Sequence, residues 1–290
     1  MARNISAVIC NNQRLSGQRL VSWLGTVLIY LFLAFLVLII NFPFIWMVLT
    51  SLKNSPEVFL IPFKFFPERI VWSNYSFAWR LAPWAAYFGN SLFIAVISMA
   101  GQMFFGSLAA YAFTRKFKLN KLIFTLFLGA MMIPGQATMI PNYVIFKSLG
   151  WINTYLPLTV PFLTGVFAIF LLRQYFLSIP KDYEDAAAID GCRAFFYIFR
   201  ILMPLSSSAL ITVALLAFND RWNDYLYSLI MITKNNMRTV QVGLGILREM
   251  GAPVSFLMAA TTFVTIPVIV LFLFVQKRFI DGVMTGGIKG

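Results

Sequence analysis

The residue types that could do chemistry are scarce in this chain of 290 residues. Histidine is absent, which excludes a Ser-His-Asp triad and any metal or haem site built on histidine. The two cysteines, Cys10 and Cys192, are too few and too far apart for a zinc cluster. Three of the 10 acidic residues, Asp182, Glu184 and Asp185, lie almost side by side. We therefore predict no catalytic residue and no metal site.

Residues 178–205, SIPKDYEDAAAIDGCRAFFYIFRILMPL, have the pattern of two short helices separated by a sharp turn. Pro180 can occupy the first turn of a helix, where no N–H donor is needed. The three carboxylates that follow suit the positive end of a helix dipole. Gly191 can adopt the left-handed conformation that ends a helix. The second helix then leads to Pro204 and the next apolar run.

One face of the first helix combines an aromatic ring with small side chains. Tyr183, Ala186, Ala187 and Asp190 share this face at helical spacing. Such a nearly flat face can approach another protein closely, with Ile189 as a further anchor. The residues also fit an amphipathic hairpin lying on a bilayer. Both alternatives stay open on these residues alone.

The rest of the chain predicts an all-α integral membrane protein. Its residues are 60% hydrophobic and 11% charged, whereas about 25% is usual in soluble domains. Six long intervals lack Asp, Glu, Lys and Arg, and even the shortest can cross a hydrocarbon core of about 30 Å as a helix. None alternates as a barrel strand does. The predicted spans are 21–52, 87–114, 122–146, 154–172, 201–219 and 255–276.

The positions of Lys and Arg orient these spans. Fourteen of the 23 fall in the segments 1–20, 115–121, 173–200 and 277–290, which the positive-inside rule places in the cytoplasm together with both termini. The connections 53–86, 147–153 and 220–254 are then external. The net charge of +13 indicates membrane topology and attraction to anionic lipid, and we do not predict nucleic-acid binding.

Residues 185–204 resemble the EAA loop of ABC importer permeases. Asp185-Ala186-Ala187, then Gly191 and Ile201-Leu202-Met203-Pro204 match its order and spacing, although Asp185 replaces the usual Glu and Met203 a Leu. Glu184, beside Asp185, can serve instead. SLKNSPEVF (51–59), AAYAFTRKF (109–117), RWNDYLYSLI (221–230) and the terminal TGGIKG also resemble the MalG-like permease subunits of carbohydrate importers.

The resemblance implies a six-helix permease with cytoplasmic EAA coupling helices in a bacterial inner membrane. Its partners would be a second permease subunit, two ATPase subunits that bind ATP and magnesium, and an external solute-binding protein. The chain itself has no G-x-x-x-x-G-K-[ST] phosphate loop and needs no cofactor of its own. Two groups of residues would contact the ATPases: Tyr183, Glu184, Asp185, Ala186, Ala187, Ile189, Gly191 and Pro204 by docking, and Gly286, Gly287, Ile288, Lys289 and Gly290 through the tail.

Uncharged polar residues in the spans are candidates for contact with a carbohydrate. Asn90, Gln102, Gln136 and Asn142 could line the solute path or hold helices together. An alternative function is a self-sufficient, ion-coupled carrier. Such carriers commonly place ionisable residues in the membrane, and the predicted spans of this chain contain none. A membrane enzyme is disfavoured because the chain lacks histidine and in-membrane carboxylates.

Overall fold

The computed structural model describes the backbone of residues 2–287 and the side chains of residue 23 and residues 25–276. Within this part of the chain, every regular element is helical. The α-helices are α1 (Ala2–Ser51), α2 (Ser73–Arg80), α3 (Trp84–Thr114), α4 (Asn120–Ala130), α5 (Gly135–Ser148), α6 (Leu156–Thr159), α7 (Val166–Ser178), α8 (Asp182–Ile189), α9 (Ala194–Tyr197), α10 (Met203–Leu205), α11 (Ser207–Trp222), α12 (Leu226–Met231), α13 (Val240–Glu249) and α14 (Val254–Gly287). Short 3-10 segments occupy Ser55–Phe59, Val160–Phe162 and Asn235–Met237, and a π-helical turn occupies Ile198–Leu202.

Four helical segments are long and apolar enough to cross a membrane. They are Gly25–Ser51, Trp84–Thr114, Leu156–Ser178 and Val254–Gln276. Two further pairs pass the same test only together: α4 with α5, bent by 94°, and Ala194–Leu205 with α11, bent by 87°. Up to six spans result if each bent pair counts as one. The all-helical membrane fold is therefore confirmed, and the number of six spans stays a prediction.

Two helices extend past the charged residues that bounded the predicted spans. Helix α7 continues to Ser178 and α11 to Trp222, whereas α3 begins at Trp84, three residues before its predicted start. Arg173 is accommodated within α7 because its Nε donates to the carbonyl of Phe113 at 3.0 Å and its guanidinium lies 4.2 Å from the centroid of the Phe124 ring. A basic side chain near a helix end thus need not end the helix.

The two terminal segments also differ from the predicted tails. The backbone of α1 is helical from Ala2, within the predicted tail 1–20, and that of α14 is helical through Gly287. Gly286 and Gly287 therefore continue a helix. Ile288, Lys289 and Gly290 lie outside the described residues.

Helix α3 lies at the centre of the fold and packs against α7 and α11. Its C-terminal end joins one apolar cluster with α7, α8 and the 197–213 region, and its N-terminal end joins another with α11, α13 and α14. At Gly101, an added Cβ would lie 2.9 Å from the Cα of Leu163, so only glycine permits this approach. Helix α1 packs along α14 and leaves most of its apolar surface exposed.

The segment 220–254, which is predicted to be external, folds back onto the bundle. Met231, Ile232, Val240 and Leu247 are completely or almost completely buried. The Asn153 side chain accepts hydrogen bonds from the backbone N–H groups of Thr233 and Lys234 at 2.7 and 3.0 Å. The apolar stretch 225–233 therefore packs into the core, and the helix α13 that follows buries Val240 and Leu247 as well.

The connection 53–86, which is also predicted to be external, is ordered as well. Lys53 is fully buried, where its ammonium group donates to the carbonyl of Lys64 and lies 5.0 Å from the Trp46 ring centroid. The Asn74 amide donates to the carbonyls of Ser51 and Lys53 at 2.7 and 2.8 Å. These contacts satisfy a charge that burial would otherwise make costly.

Candidate coupling site

The segment 182–205 forms the predicted pair of helical pieces. Asp182, Glu184 and Asp185 all lie in the first turn of α8. Gly191 has φ of 75°, and the backbone N–H of Cys192 donates to the carbonyl of Ala187 at 2.8 Å, which closes the C-terminus of α8. The helix begins after Lys181, so Pro180 precedes its first turn. The left-handed turn predicted at Gly191 is therefore present.

Glu184 fastens α8 to the end of α3. The Tyr111 hydroxyl donates to Oε1 of Glu184 at 2.9 Å, and Arg115 forms an ion pair with the same carboxylate. The Arg115 guanidinium also contacts the Tyr111 hydroxyl and lies 4.5 Å from the centroid of that ring. Glu184, Arg115 and Tyr111 together are called the Glu184 anchor. Because Glu184 is engaged inside the chain, Asp185 is the exposed carboxylate of the pair.

The outer surface of α8 is formed by the opposite residues. Tyr183 is half-exposed, Asp185 and Ala186 are exposed, and Ile189 is 87% exposed. These four residues are called the docking face. Ala187 was expected on this face, but it is only 6% exposed and belongs to the apolar cluster beneath the helix. Ala187 lies three residues after Glu184 and therefore on the side of α8 that faces the bundle.

The second helical piece holds the first against the bundle. Tyr197, Ile198 and Leu202 are buried in the cluster that contains Ala187. The Tyr197 ring lies 6.0 Å from that of Tyr111, centroid to centroid. A movement of α8 is thereby linked by packing to α3.

Pro204 lies at the bend that leads from this segment into α11. It is exposed within α10, and the chain turns by 87° before α11 begins. Ser206 is buried at the bend, where its hydroxyl donates to the carbonyl of Leu202 at 2.7 Å. Pro204 thus shapes the connection and lies outside the docking face.

The four polar residues predicted for the solute path have different surroundings. Asn90 is buried, its amide donates to the carbonyls of Asn236 and Arg238 at 2.9 Å each, and its oxygen accepts from Tyr155 at 2.7 Å. Asn90 therefore holds the segment 236–238 against α3, in agreement with the alternative that it holds structural elements together. The Gln102 amide donates to the carbonyl of Phe162 at 3.2 Å, Gln136 is exposed, and Asn142 is partly buried.

Sequence reasoning missed the two partners of Glu184 in the Glu184 anchor. Arg115 was assigned only to the basic loop, and Tyr111 was given no role. Tyr111 lies in the last turn of α3 and Arg115 directly follows the helix, so their closeness in the sequence would have been a usable signal. The partner carboxylate is 73 residues from Tyr111 in the sequence, however, and local spacing does not identify such a partner.

Known proteins resemble this chain over most of its length. Residues 102–284 match the family model described as "Binding-protein-dependent transport system inner membrane component". The chain is 34% identical to the arabinooligosaccharides transport system permease protein AraQ of Bacillus subtilis, over 90% of this chain and 94% of that protein. It is 32% identical to the trehalose/maltose transport system permease protein MalG of Thermococcus litoralis, over 86% of this chain and 91% of that protein.

A solved structure shares the fold. It is a chain of a bacterial ABC transporter involved in the import of the acidic polysaccharide alginate. The TM-score is 0.78 at 23% sequence identity, and the match covers 88% of this chain and 96% of that chain. At this identity the similarity concerns the fold.

Proposed function

Since this chain belongs to the family of binding-protein-dependent transport system inner membrane components, we propose that it is a permease subunit of an ATP-driven carbohydrate importer. Relatives over nearly the whole chain are named for the transport of arabinooligosaccharides, galactooligosaccharides and trehalose or maltose. An oligosaccharide is the solute class that this group of relatives supports.

The observation that carries the proposal is the docking face on an internally anchored helix. Tyr183, Ala186 and Ile189 present an apolar surface with little relief, and Asp185 adds an exposed charge beside it. Such a surface fits a groove on a partner protein. The Glu184 anchor and buried Ala187 hold α8 from behind, so force applied at the face is passed on to the bundle.

ATP would be bound and hydrolysed by two partner ATPase subunits. The chain has no phosphate loop, so its contribution is mechanical. When the ATPases close on ATP, α8 moves with the groove that holds it. The Glu184 anchor transmits this displacement to α3, and the packing of Tyr197 transmits it towards α11. The helices then alternate between inward-facing and outward-facing arrangements.

The same proposal assigns topology and partners. The loop 115–121 and the segment 182–205 lie at one end of α3, as shared placement in the cytoplasm requires. A second permease subunit would complete the path, and an external binding protein would deliver the solute to the opposite end. The chain spans the cell membrane several times, with both termini in the cytoplasm, and needs no cofactor of its own.

Two further assignments concern the tail and the solute. We propose that the terminal residues after α14, Ile288 to Gly290, reach between the ATPase subunits, with Gly286 and Gly287 as the end of the helix that carries them. Because Asn90 has its hydrogen bonds satisfied within the chain, Gln102, Gln136 and Asn142 are the better candidates for contact with the solute.

Uptake by the complete importer tests the function. The two permeases, the ATPases and the binding protein are reconstituted in liposomes, and the solute is first chosen from an oligosaccharide panel by thermal stabilisation of the binding protein. We expect uptake that requires ATP and all four components. Uptake by this chain alone, without ATP and abolished by ionophores, would contradict the proposal and indicate an ion-coupled carrier.

A further inference from the structure

A cavity of about 1050 Å³ opens where the end of α3, the loop 115–119, α4 and α7 meet. It is as large as the clefts that enclose drug-sized ligands, which measure about 300–1,000 Å³. None of the residues that form the docking face lines it. The proposed transport mechanism gives this cavity no role.

The charges around the cavity are all positive. Arg115, Lys116, Lys121 and Arg173 line it, and no Asp or Glu is among the lining residues. Arg115 is neutralised by Glu184. Lys116 and Lys121 have no ion pair within the described part of the chain, and Arg173 uses Nε on a backbone carbonyl and has no acidic partner there. Three positive charges therefore remain to bind an anion.

The same cavity has apolar walls that reach the surface. Phe113 and Phe124 are buried behind it, whereas Phe117, Leu119 and Leu122 line it and are exposed. Leu119 has φ of 73°, so the backbone turns here in the left-handed region. Large apolar side chains beside lysines are typical of a segment at the boundary between headgroups and acyl chains.

The cavity faces the same end of the bundle as the coupling segment. Phe113 and Phe124 share an apolar cluster with Ala187 and Tyr197, and Arg115 bonds to Glu184. The cytoplasmic position of this end rests on the proposed function. Anionic phospholipids are common in the cytoplasmic leaflet, and basic pockets between membrane helices bind their headgroups.

We propose that this basic cavity binds one anionic phospholipid of the cytoplasmic leaflet. The phosphate lies between Lys116, Lys121 and Arg173, and the acyl chains run along Phe117 and Leu122 towards the membrane. A free phosphate would meet the same three cations, but it would leave the apolar wall uncovered. The combination of unpaired cations and exposed apolar side chains favours the lipid.

Lipid titration of the purified importer tests the site. Phosphatidylglycerol is added to the complete complex in a neutral detergent, and bound lipid is counted by native mass spectrometry for the wild type and for Lys116→Gln/Lys121→Gln. Each lysine near a lipid surface is worth about a fivefold change in affinity, so we expect the double variant to bind about 30-fold more weakly. Thr125→Trp keeps the charge but fills the cavity, and it should also lose the lipid.

Lys118→Gln is the matched control because Lys118 lies in the same loop but does not line the cavity. It should bind phosphatidylglycerol within about twofold of the wild type. Equal weakening by Lys118→Gln, or no weakening in the double variant and in Thr125→Trp, would overturn the proposal. Displacement of the lipid by excess inorganic phosphate would indicate a free-anion site instead.

The ATPase subunits are the remaining occupant to exclude. If phosphatidylglycerol binds the permease pair but not the complete complex, the ATPase covers the cavity and the proposal fails. Lipid binding is counted without ATP and without solute. A failure of ATP-driven uptake would therefore leave this result interpretable, and a failure of lipid binding would leave the transport proposal intact.

Discussion

Glu184 and Asp185 are adjacent carboxylates with different surroundings. Glu184 is 28% exposed at its side chain and bonded to Tyr111 and Arg115, whereas Asp185 is exposed on the docking face. The first therefore positions α8 within the chain, and the second is available to a partner. Substitution of each in turn separates these two roles.

Glu184→Gln should loosen α8 because it removes the charge that neutralises Arg115. The pair is partly exposed, so the expected cost is about 1 kcal/mol or less in the free energy of local opening. Amide hydrogen exchange across residues 182–192 should accelerate by up to about fivefold. Asp185→Asn is the matched control and should leave exchange in the free permease unchanged.

The result would contradict the account if both variants accelerated exchange equally, or if only Asp185→Asn did. In the complete importer the order of the two variants should reverse when the affinity for the ATPase is measured. Asp185→Asn should weaken binding of the ATPase more than Glu184→Gln does, because it removes a charge from the docking face.

Gly191 is required for its backbone conformation. An added Cβ would meet nothing within 4 Å, but φ of 75° costs a residue with a side chain about 1–2 kcal/mol. Gly191→Val should therefore disturb the turn and lower the solute transported per ATP hydrolysed. Gly191→Asn, which tolerates this conformation better, should retain more transport. Normal uptake by Gly191→Val at normal membrane levels would argue against the coupling role of this turn.

Predictability from the sequence differed among these residues. The turn at Gly191 was predictable because glycine followed a helical pattern and preceded a second one. The inward orientation of Glu184 was not, since it depends on Tyr111 and Arg115 in a distant helix. Ala187 was misplaced because its neighbours are also alanines, and three identical side chains do not show which one is buried.

At the scale of elements, the charge-free runs predicted the helices, whereas the break inside one of them is marked by a proline and not by hydropathy. The interval 122–146 contains no charge, yet the structure divides it into α4 and α5 at Pro134, which has ψ of 133° as the last residue before α5. Proline removes a backbone donor and can end a helix without any change in hydropathy. A search for intervals without charged residues therefore does not detect such a break.

Close packing between α3 and the 160–163 turn gives a testable prediction for an element. Gly101→Ala would place a Cβ 2.9 Å from the Cα of Leu163, and the two backbones would have to separate. Overpacking of this kind costs about 1–3 kcal/mol, so the unfolding temperature in detergent should fall.

Gly89→Ala is a control on the same helix. Its Cβ would meet nothing within 4 Å, and alanine favours the helix, so stability should be unchanged or slightly higher. A similar fall in the unfolding temperature for both variants would mean that the Gly101 contact does not limit stability.

At the scale of the whole molecule, the fold has an anchored centre and an apolar exterior. Helix α3 links the apolar cluster beneath the coupling segment to the cluster beneath the segment 220–254. Exposed apolar side chains cover α1 from Gly25 onwards, where its side chains are described, and a surface of this extent requires lipid or another subunit. The composition predicted this exterior. The packing of the segment 226–249 could not be predicted from composition, because its apolar part is too short to span a membrane and the residues that hold it, such as Asn90 and Asn153, are distant in the sequence.

The central claim is that the docking face binds a separate ATPase in the cytoplasm. Its most direct test is cysteine cross-linking from Ile189→Cys in the complete importer within native membrane vesicles. Cys10→Ser and Cys192→Ser remove the native thiols, and Ile61→Cys, exposed in the first external connection, is the control. The account predicts that Ile189→Cys captures an ATPase subunit and that Ile61→Cys does not. Failure of Ile189→Cys to capture any ATPase in vesicles that retain ATP-driven uptake would contradict it.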